Sequence, residues 1–245
     1  MISVVICSVT AAKFDAVSQM YHRALGTCAH EIIGIHDAQS LCEGYNRALG
    51  RCSGEQVIFS HDDLEILTPD FPARLQEHLS KFDMIGIAGA NRCVSMLWAH
   101  AGPPHIYGQA ARPGPNGTFD VEIFSVPNRA IGGMQVLDGV FIAAHRSVVQ
   151  AIGFDAANFD GFHGYDSDFT FRAHLAGYKL AVCPDIAVLH FGLGKLDERW
   201  RHYAQVFQRK FETKLAPRPD YRYSICTARV PRKEDILRVM TPAHW

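Results

Sequence analysis

The chain has 245 residues, which suits one large α/β domain or two small ones. With 48 % of its residues apolar it can bury a sizeable core, and a formal net charge of −1 argues against a general nucleic-acid binder, which needs a basic face. No apolar run approaches the ~20 residues that span a bilayer, and the opening MISVVICSVT has neither a basic leader nor a small-residue cleavage site, so it is expected as a first strand and not a signal peptide.

Ile2–Cys7 is a continuous apolar run, the pattern of a strand buried on both faces. Residues 11–25 carry helical spacing through Phe14, Val17, Tyr21, Ala24 and Leu25. Glu31–Ile35 reads as a second strand ending at His36-Asp37, residues 39–50 as a second helix, and Gln56–Phe59 as a third strand that runs into His61-Asp62-Asp63. The order β-α-β-α-β predicts a parallel sheet with right-handed crossovers, whose ligands sit beyond the carboxyl ends of the strands. Ser8, Asp37 and Asp62-Asp63 all fall at such ends, so one cleft can collect them.

Pro69–Leu79 is expected as a short helix and Met84–Ala88 as a fourth strand. Residues 99–135 are rich in Gly and Pro and without period, and are expected as a long loop, either a lid or acceptor platform bearing Trp98, His105 and Tyr107 or an ordinary surface loop. Val136–Ala144 returns to strand character, broken by Asp138-Gly139, and 146–152 reads as a short helix. Gly161 and Gly164 mark a bend before a helix from about Asp166 to Gly177, with Asp168 and Arg172 four apart to pair on its surface and Phe169, Ala173 and Ala176 on its packing face. A strand over Ile186–Leu189 ends at His190, and a last helix runs from about Leu196 to Lys214. The tail after Pro217 is basic in patches and can touch a membrane surface, pair subunits or cover the core. Seven cysteines, an odd number without a C-x-x-C pair, predict reduced thiols of a cytosolic protein. Thirteen histidines raise the number of candidate metal ligands and of accidental ones alike, so position must decide.

Two readings stand for Asp62 and Asp63: a cap or turn before Pro69, or carboxylates for a divalent cation that also binds a diphosphate. Strand alternation lets only one of the pair face a cleft. His190 is either a satisfied strand-end histidine or a further ligand, and an imidazole beside a carboxylate favours Mn²⁺ over Mg²⁺. Asp166 is either a first-turn acid favoured by the helix dipole, which would keep it ionised, or a general base for an acceptor hydroxyl. Asp37 and Ser8 either cap helices or hydrogen-bond a base and ribose.

Taken in order, ISVVICSVT, EIIGIHDAQSLCEGYNRAL, GEQVIFSHDDLEI, VLDGVFIAAHRSVVQAIGFD and FHGYDSDFTFRAHLAGYKLAVCPDIAVLHFG resemble the motifs of GT-A fold glycosyltransferases, in particular the family 2-like bacterial enzymes. The resemblance implies a Rossmann-like α/β/α sandwich with a mostly parallel central sheet. It implies a single catalytic domain over 1–214, with a nucleotide-binding half to about 98 and an acceptor half from about 99, and a C-terminal extension over 215–245. It implies Asp63 and His190 as ligands of Mn²⁺ (or Mg²⁺) and Asp166 as the catalytic base. Ser8, Asp37, Asn46, Asp62, Asp138 and Gly139 would line the donor or acceptor pocket. The usual Glu-Asp pair reads Tyr165-Asp166 here, which leaves the base in place and removes the first acid. The implied reaction is inverting transfer of a sugar from a nucleotide-sugar, usually a UDP-sugar, to a saccharide or lipid-linked acceptor in cell-surface polysaccharide assembly, in the cytoplasm or at the inner face of the membrane. A metal-dependent hydrolase built on His61, Asp62, Asp63 and His190, or a nucleotide-sugar binding module without turnover, are the alternatives; a nucleotidyltransferase would want a Gly-rich phosphate loop with Lys after the first strand, and none is there.

Overall fold

The computed structural model describes residues 1–192, 194 and 196–241. The opening alternation forms as the periodicity predicts: β1 (Ile2–Cys7), α1 (Ala11–Leu25), β2 (His30–Ile35), α2 (Leu41–Leu49) and β3 (Gln56–Ser60). β1 lies between β2 and β3 and is parallel to both, with Ile6 level with Gly34 on one side and Ser60 on the other. α2 starts where the Ser40 hydroxyl accepts the Glu43 amide and the Glu43 carboxylate accepts the Gln39 amide, so two otherwise unpaired donors are satisfied.

The chain continues through β4 (Leu64–Ile66), α3 (Phe71–Leu79), β5 (Met84–Gly86) and β6 (Ala88–Ala90). The single strand expected over Met84–Ala88 is thus two, because the chain changes sheets at Ile87: β5 joins the first sheet and β6 a second one. Segment 99–135 is not a long loop. It contains β7 (Ile106–Pro113), β8 (Phe119–Ser125) and the short β9 (Ile131–Gly132), and β7 and β8 form an antiparallel hairpin in the second sheet. The Gly and Pro residues that suggested a loop fall mostly in the connections, at 102–104 before β7, at 113–117 between β7 and β8, and around β9.

β10 (Val136–Leu137) pairs with β6, and β11 (Phe141–His145) inserts between β3 and β5. Asp138-Gly139 therefore marks a second crossing between the sheets. α4 (Arg146–Ile152), α5 (Tyr165–Leu175), β12 (Leu180–Val182), β13 (Val188–His190), α6 (Glu198–Phe211), β14 (Cys226–Val230) and α7 (Ile236–Met240) complete the order. The first sheet runs β2-β1-β3-β11-β5-β12-β9, parallel except where β11 and β9 meet their neighbours antiparallel.

Strand alternation divides the core into two layers. Val4, Ile6, Ile58, Phe141 and Ala143 face α1 and α3 through Val17, Tyr21, Phe71 and Leu75. Val5, Val57, Phe59, Ile142 and Ala144 face α2, α4 and α5 through Tyr45, Val149 and Phe169. This is the α/β/α sandwich the resemblance implies. Two details of α5 differ from expectation: Asp168 is fully buried, so its ion pair with Arg172 is internal, and Ala176 lies exposed beyond the helix.

The tail covers core. β14 extends the hairpin by pairing with β8, and Ile236 and Met240 of α7 pack on Ala111, Val121 and Leu189. Several of its charges are paired within the chain, Arg232 and Arg238 on Asp235 and Lys233 on Glu65. The last four residues of the expected extension lie outside the described residues. All seven cysteines are free thiols. Among the described residues no helix is long and apolar enough to cross a membrane.

Candidate functional site

Beyond the carboxyl ends of β1 and β3 lies a cleft of about 620 Å³, walled by the second sheet and by the first turn of α5. Three side chains from distant parts of the sequence meet there. His190 Nε2 is 3.2 Å from Asp63 Oδ1, His61 Nδ1 is 3.7 Å from the same oxygen, and the two imidazole nitrogens are 3.4 Å apart. Ligand atoms ~2.1 Å from one cation stand about 3.0–3.4 Å apart in octahedral or tetrahedral arrangement, so the 3.2 Å and 3.4 Å separations are those of a coordination shell and the 3.7 Å one is slightly wider. Asp63 Oδ1 is buried with only the His190 imidazole close by at 3.2 Å and no well-directed hydrogen bond, a state that a cation relieves. Burial and the adjacent His190 ring push the His61 pKa down, which keeps it in the neutral form that binds metals. Burial works against the Asp63 carboxylate, but His190 and His61 outweigh it and hold its pKa below the ordinary carboxylate range. The residues present therefore fit a divalent ion.

Local geometry explains the convergence. His61 and Asp63 lie two apart in the bend between β3 and β4 and meet on one side, while Asp62 turns to Ser8 and Lys13. β13 brings His190 level with Leu64 in β4. Backbone then closes tightly behind the ligands: a Cβ on Gly192 would lie 2.4 Å from Asp63 Oδ2 and 2.9 Å from His190 Nε2, so only glycine fits.

Asp62 takes a different position. Its Oδ2 accepts from the Ser8 hydroxyl at 2.6 Å and its Oδ1 lies 3.6 Å from the Lys13 ammonium, so Ser8 and Asp62 form one unit at the cleft edge. Asp37 does not reach the cleft. Its carboxylate is 79 % exposed and held by Arg47, which also depresses its pKa, because β2 ends one strand further out. Asn46 does not reach it either: its amide donates to the Phe154 carbonyl and accepts the Phe154 amide, fastening α2 to the segment after α4.

Asp166 and Asp138 lie together at the cleft floor. Burial first, and the charge of Asp138 second, push the Asp166 pKa up to about 7, against the amides of Ser167 and Gly139 that favour its ionised form. The expectation that the helix dipole keeps this acid ionised is opposed by desolvation, which is the larger effect. Asp138 is fixed, with Oδ2 accepting from the Trp98 indole at 2.8 Å and Oδ1 from the Val140 amide at 3.0 Å. Gly139 supplies clearance: a Cβ there would come within 2.3 Å of the Tyr165 hydroxyl.

Sequence reasoning gave His61 no place in a transferase site and left Tyr165 as a lost acid. Two-residue spacing in HDD was the available signal for His61. Tyr165 and Arg112, which β7 carries into the cleft paired with Glu122, depend on tertiary contacts. Of the three aromatic groups expected in a loop platform, Trp98 lines the cleft, whereas His105 and Tyr107 are turned to Asn91.

The model of the glycosyltransferase-like family matches residues 3–214. No curated protein matches the chain. Among solved structures, it is similar to the mannosyltransferase PcManGT from Pyrobaculum calidifontis in complex with GDP-Man and Mn²⁺, with a TM-score of 0.54 and 13 % identity over 89 % of this chain and 65 % of that one. It is also similar to GalNAc-T7 with UDP, GalNAc and Mn²⁺, with a TM-score of 0.51 and 12 % identity over 84 % of this chain and 48 % of that one. The chain thus spans about two thirds and about half of these neighbours, and at such identities the likeness speaks to the fold, which is GT-A.

Proposed function

The chain belongs to the glycosyltransferase-like family, and from that premise we propose that it is a metal-dependent inverting glycosyltransferase, moving a sugar from a nucleotide-sugar to an acceptor hydroxyl. The observation that carries the reading is the meeting of His61, Asp63 and His190 in the same cleft as a carboxyl raised to about 7. His61, Asp63 and His190 would hold the metal, and two imidazoles with one carboxylate favour Mn²⁺ over Mg²⁺. When bound, such a cation neutralises the charge that develops on the departing diphosphate. Arg112 adds a second positive group on the same wall. Asp62, braced by Ser8, is placed to contact the donor.

Asp166 accepts the proton of the incoming hydroxyl, and a pKa near the working pH suits that task. A single displacement with one base inverts the anomeric configuration, and Asp138 is held in place by the Trp98 indole and the Val140 amide. The donor is a nucleoside diphosphate sugar, with a UDP-sugar the leading candidate. The acceptor is a saccharide or lipid-linked saccharide of cell-surface polysaccharide assembly, on the cytoplasmic side of the membrane. The apolar mouth, with Trp98, Phe162, Leu196 and Trp200, offers stacking faces for a sugar ring.

Thermal shift with UDP, GDP and CMP, each with and without Mn²⁺, tests the donor site. Stabilisation that needs both nucleotide and metal and disappears in Asp63→Ala is expected; absence of any joint effect overturns the proposal. A metal-dependent hydrolase would draw on the same three ligands, and Asp166→Asn separates the two. That variant should bind donor and metal and lose transfer to acceptor, whereas a hydrolase centred on the ligands would keep cleaving the donor.

A further inference from the structure

The hydroxyl of Tyr165 lies 2.9 Å from His61 Nε2 and 3.0 Å from the Gly139 carbonyl oxygen. A phenol has one hydrogen, and the Gly139 carbonyl can only accept, so the hydroxyl donates to Gly139 and accepts from His61. His61 is therefore protonated on Nε2 and its Nδ1 lone pair faces Asp63 and His190. We infer that Tyr165 is a positioning residue of the metal centre, fixing the tautomer and ring orientation of His61 and joining the metal ligands to the helix turn that carries Asp166. The position that carries the first acid of the Glu-Asp pair thus holds a side chain turned onto His61 and Gly139. The ring packs against Tyr45 at 5.6 Å between centroids, and Gly139 leaves room for the hydroxyl. Partners of this kind orient a ligand and raise its affinity for the ion without touching it.

The inference rests on the metal site proposed above, and Mn²⁺ titration followed by calorimetry and electron spin-echo spectroscopy separates the two. Tyr165→Phe removes one oxygen and keeps the ring, so the fold should stay intact by circular dichroism. Its Mn²⁺ dissociation constant is expected to rise ~10–100-fold, with loss of one imidazole nitrogen coupling. In a His61→Ala background the same change should have an effect below about twofold, because Tyr165 acts through His61. Gly139→Ala, which displaces the hydroxyl from the other side, should weaken Mn²⁺ binding in the same way. Mn²⁺ affinity in Tyr165→Phe within about twofold of the unaltered protein, or an equal loss with and without His61, overturns the inference while leaving the metal site standing. Failure of the unaltered protein to bind Mn²⁺ overturns the metal site and the inference together.

Discussion

Asp63 and His190 stand with 3.2 Å between Oδ1 and Nε2, and the Gly192 backbone closes behind both. The antiparallel pairing of β13 with β4 sets this meeting, since it places His190 beside Leu64 and returns the chain past the acid. A methyl group at position 192 would be driven into the Asp63 carboxylate.

Gly192→Ala is accordingly expected to lower Mn²⁺ affinity at least ~10-fold while the melting temperature of the metal-free protein stays nearly unchanged. Calorimetric titration beside a thermal melt checks this. Unaltered affinity would show that the loop after β13 yields freely.

Asp166 should set the acid limb of transfer. As a base it must be ionised, so kcat is expected to rise with pH through a midpoint at or below about 7, the bound dication drawing it down from the metal-free value. Asp166→Asn should abolish that limb and lower kcat by at least ~100-fold. A rate profile over pH 4–9 measures both.

For stability the sign is opposite. The folded state binds the Asp166 proton more tightly than the unfolded chain, whose carboxyl has the ordinary value of 3.8. The contribution of Asp166 to metal-free stability is thus fully present below about pH 4 and is lost as pH rises through about 7. Asp166→Asn should melt several degrees above the unaltered protein at pH 8 and alike at pH 4.

Lys210 ties α6 to the core by pairing with Asp155 and with the fully buried Asp168, which also holds Arg172. Lys210→Met leaves buried charge uncompensated and should cost about 3 kcal/mol, roughly 6–12 °C in melting temperature. Mn²⁺ affinity should not change. Burial opposes ionisation of Asp155, but Lys210 and Asn158 hold its pKa down at about 2, so this contribution is present above about pH 4 and lost as pH falls through 2. Urea melts at pH 2 and pH 6 should converge for the variant and the unaltered protein only at the lower pH.

Removing residues 215–245 should uncover the edge of β8 and the apolar groups Ala111, Val121 and Leu189. An exposed edge over an apolar face invites self-association, so size-exclusion chromatography is expected to show aggregates. A monodisperse truncated protein would make the extension dispensable.

Apolar runs of one length, helical spacing and strand-end punctuation are local properties, and they placed β1 to β3, α1 and α2 within a residue or two. The strand ends also pointed to one cleft, because in a parallel sheet carboxyl ends share an edge. Segment 99–135 was misread because glycines and prolines crowd its connections and also interrupt β7 at Gly108, and because β7 and β8 alternate only partly between buried and exposed positions. Asp138-Gly139 showed as a break in its strand, but Ile87 carries no local sign that the chain changes sheets there, since both flanking pieces are extended.

The sequence by itself determined the layered α/β architecture and offered Asp63, Asp166 and His190 as the groups to watch, because periodicity and strand-end position survive without knowledge of contacts. Only the tertiary structure decided that His61 meets Asp63 and His190, that the Tyr165 hydroxyl turns inward onto it, that Asp37 lies exposed on Arg47 away from the cleft, and that Asn46 fastens α2 to the segment after α4. Those outcomes depend on which strands become neighbours and on how much water is expelled between them, and neither is written in any single stretch of chain.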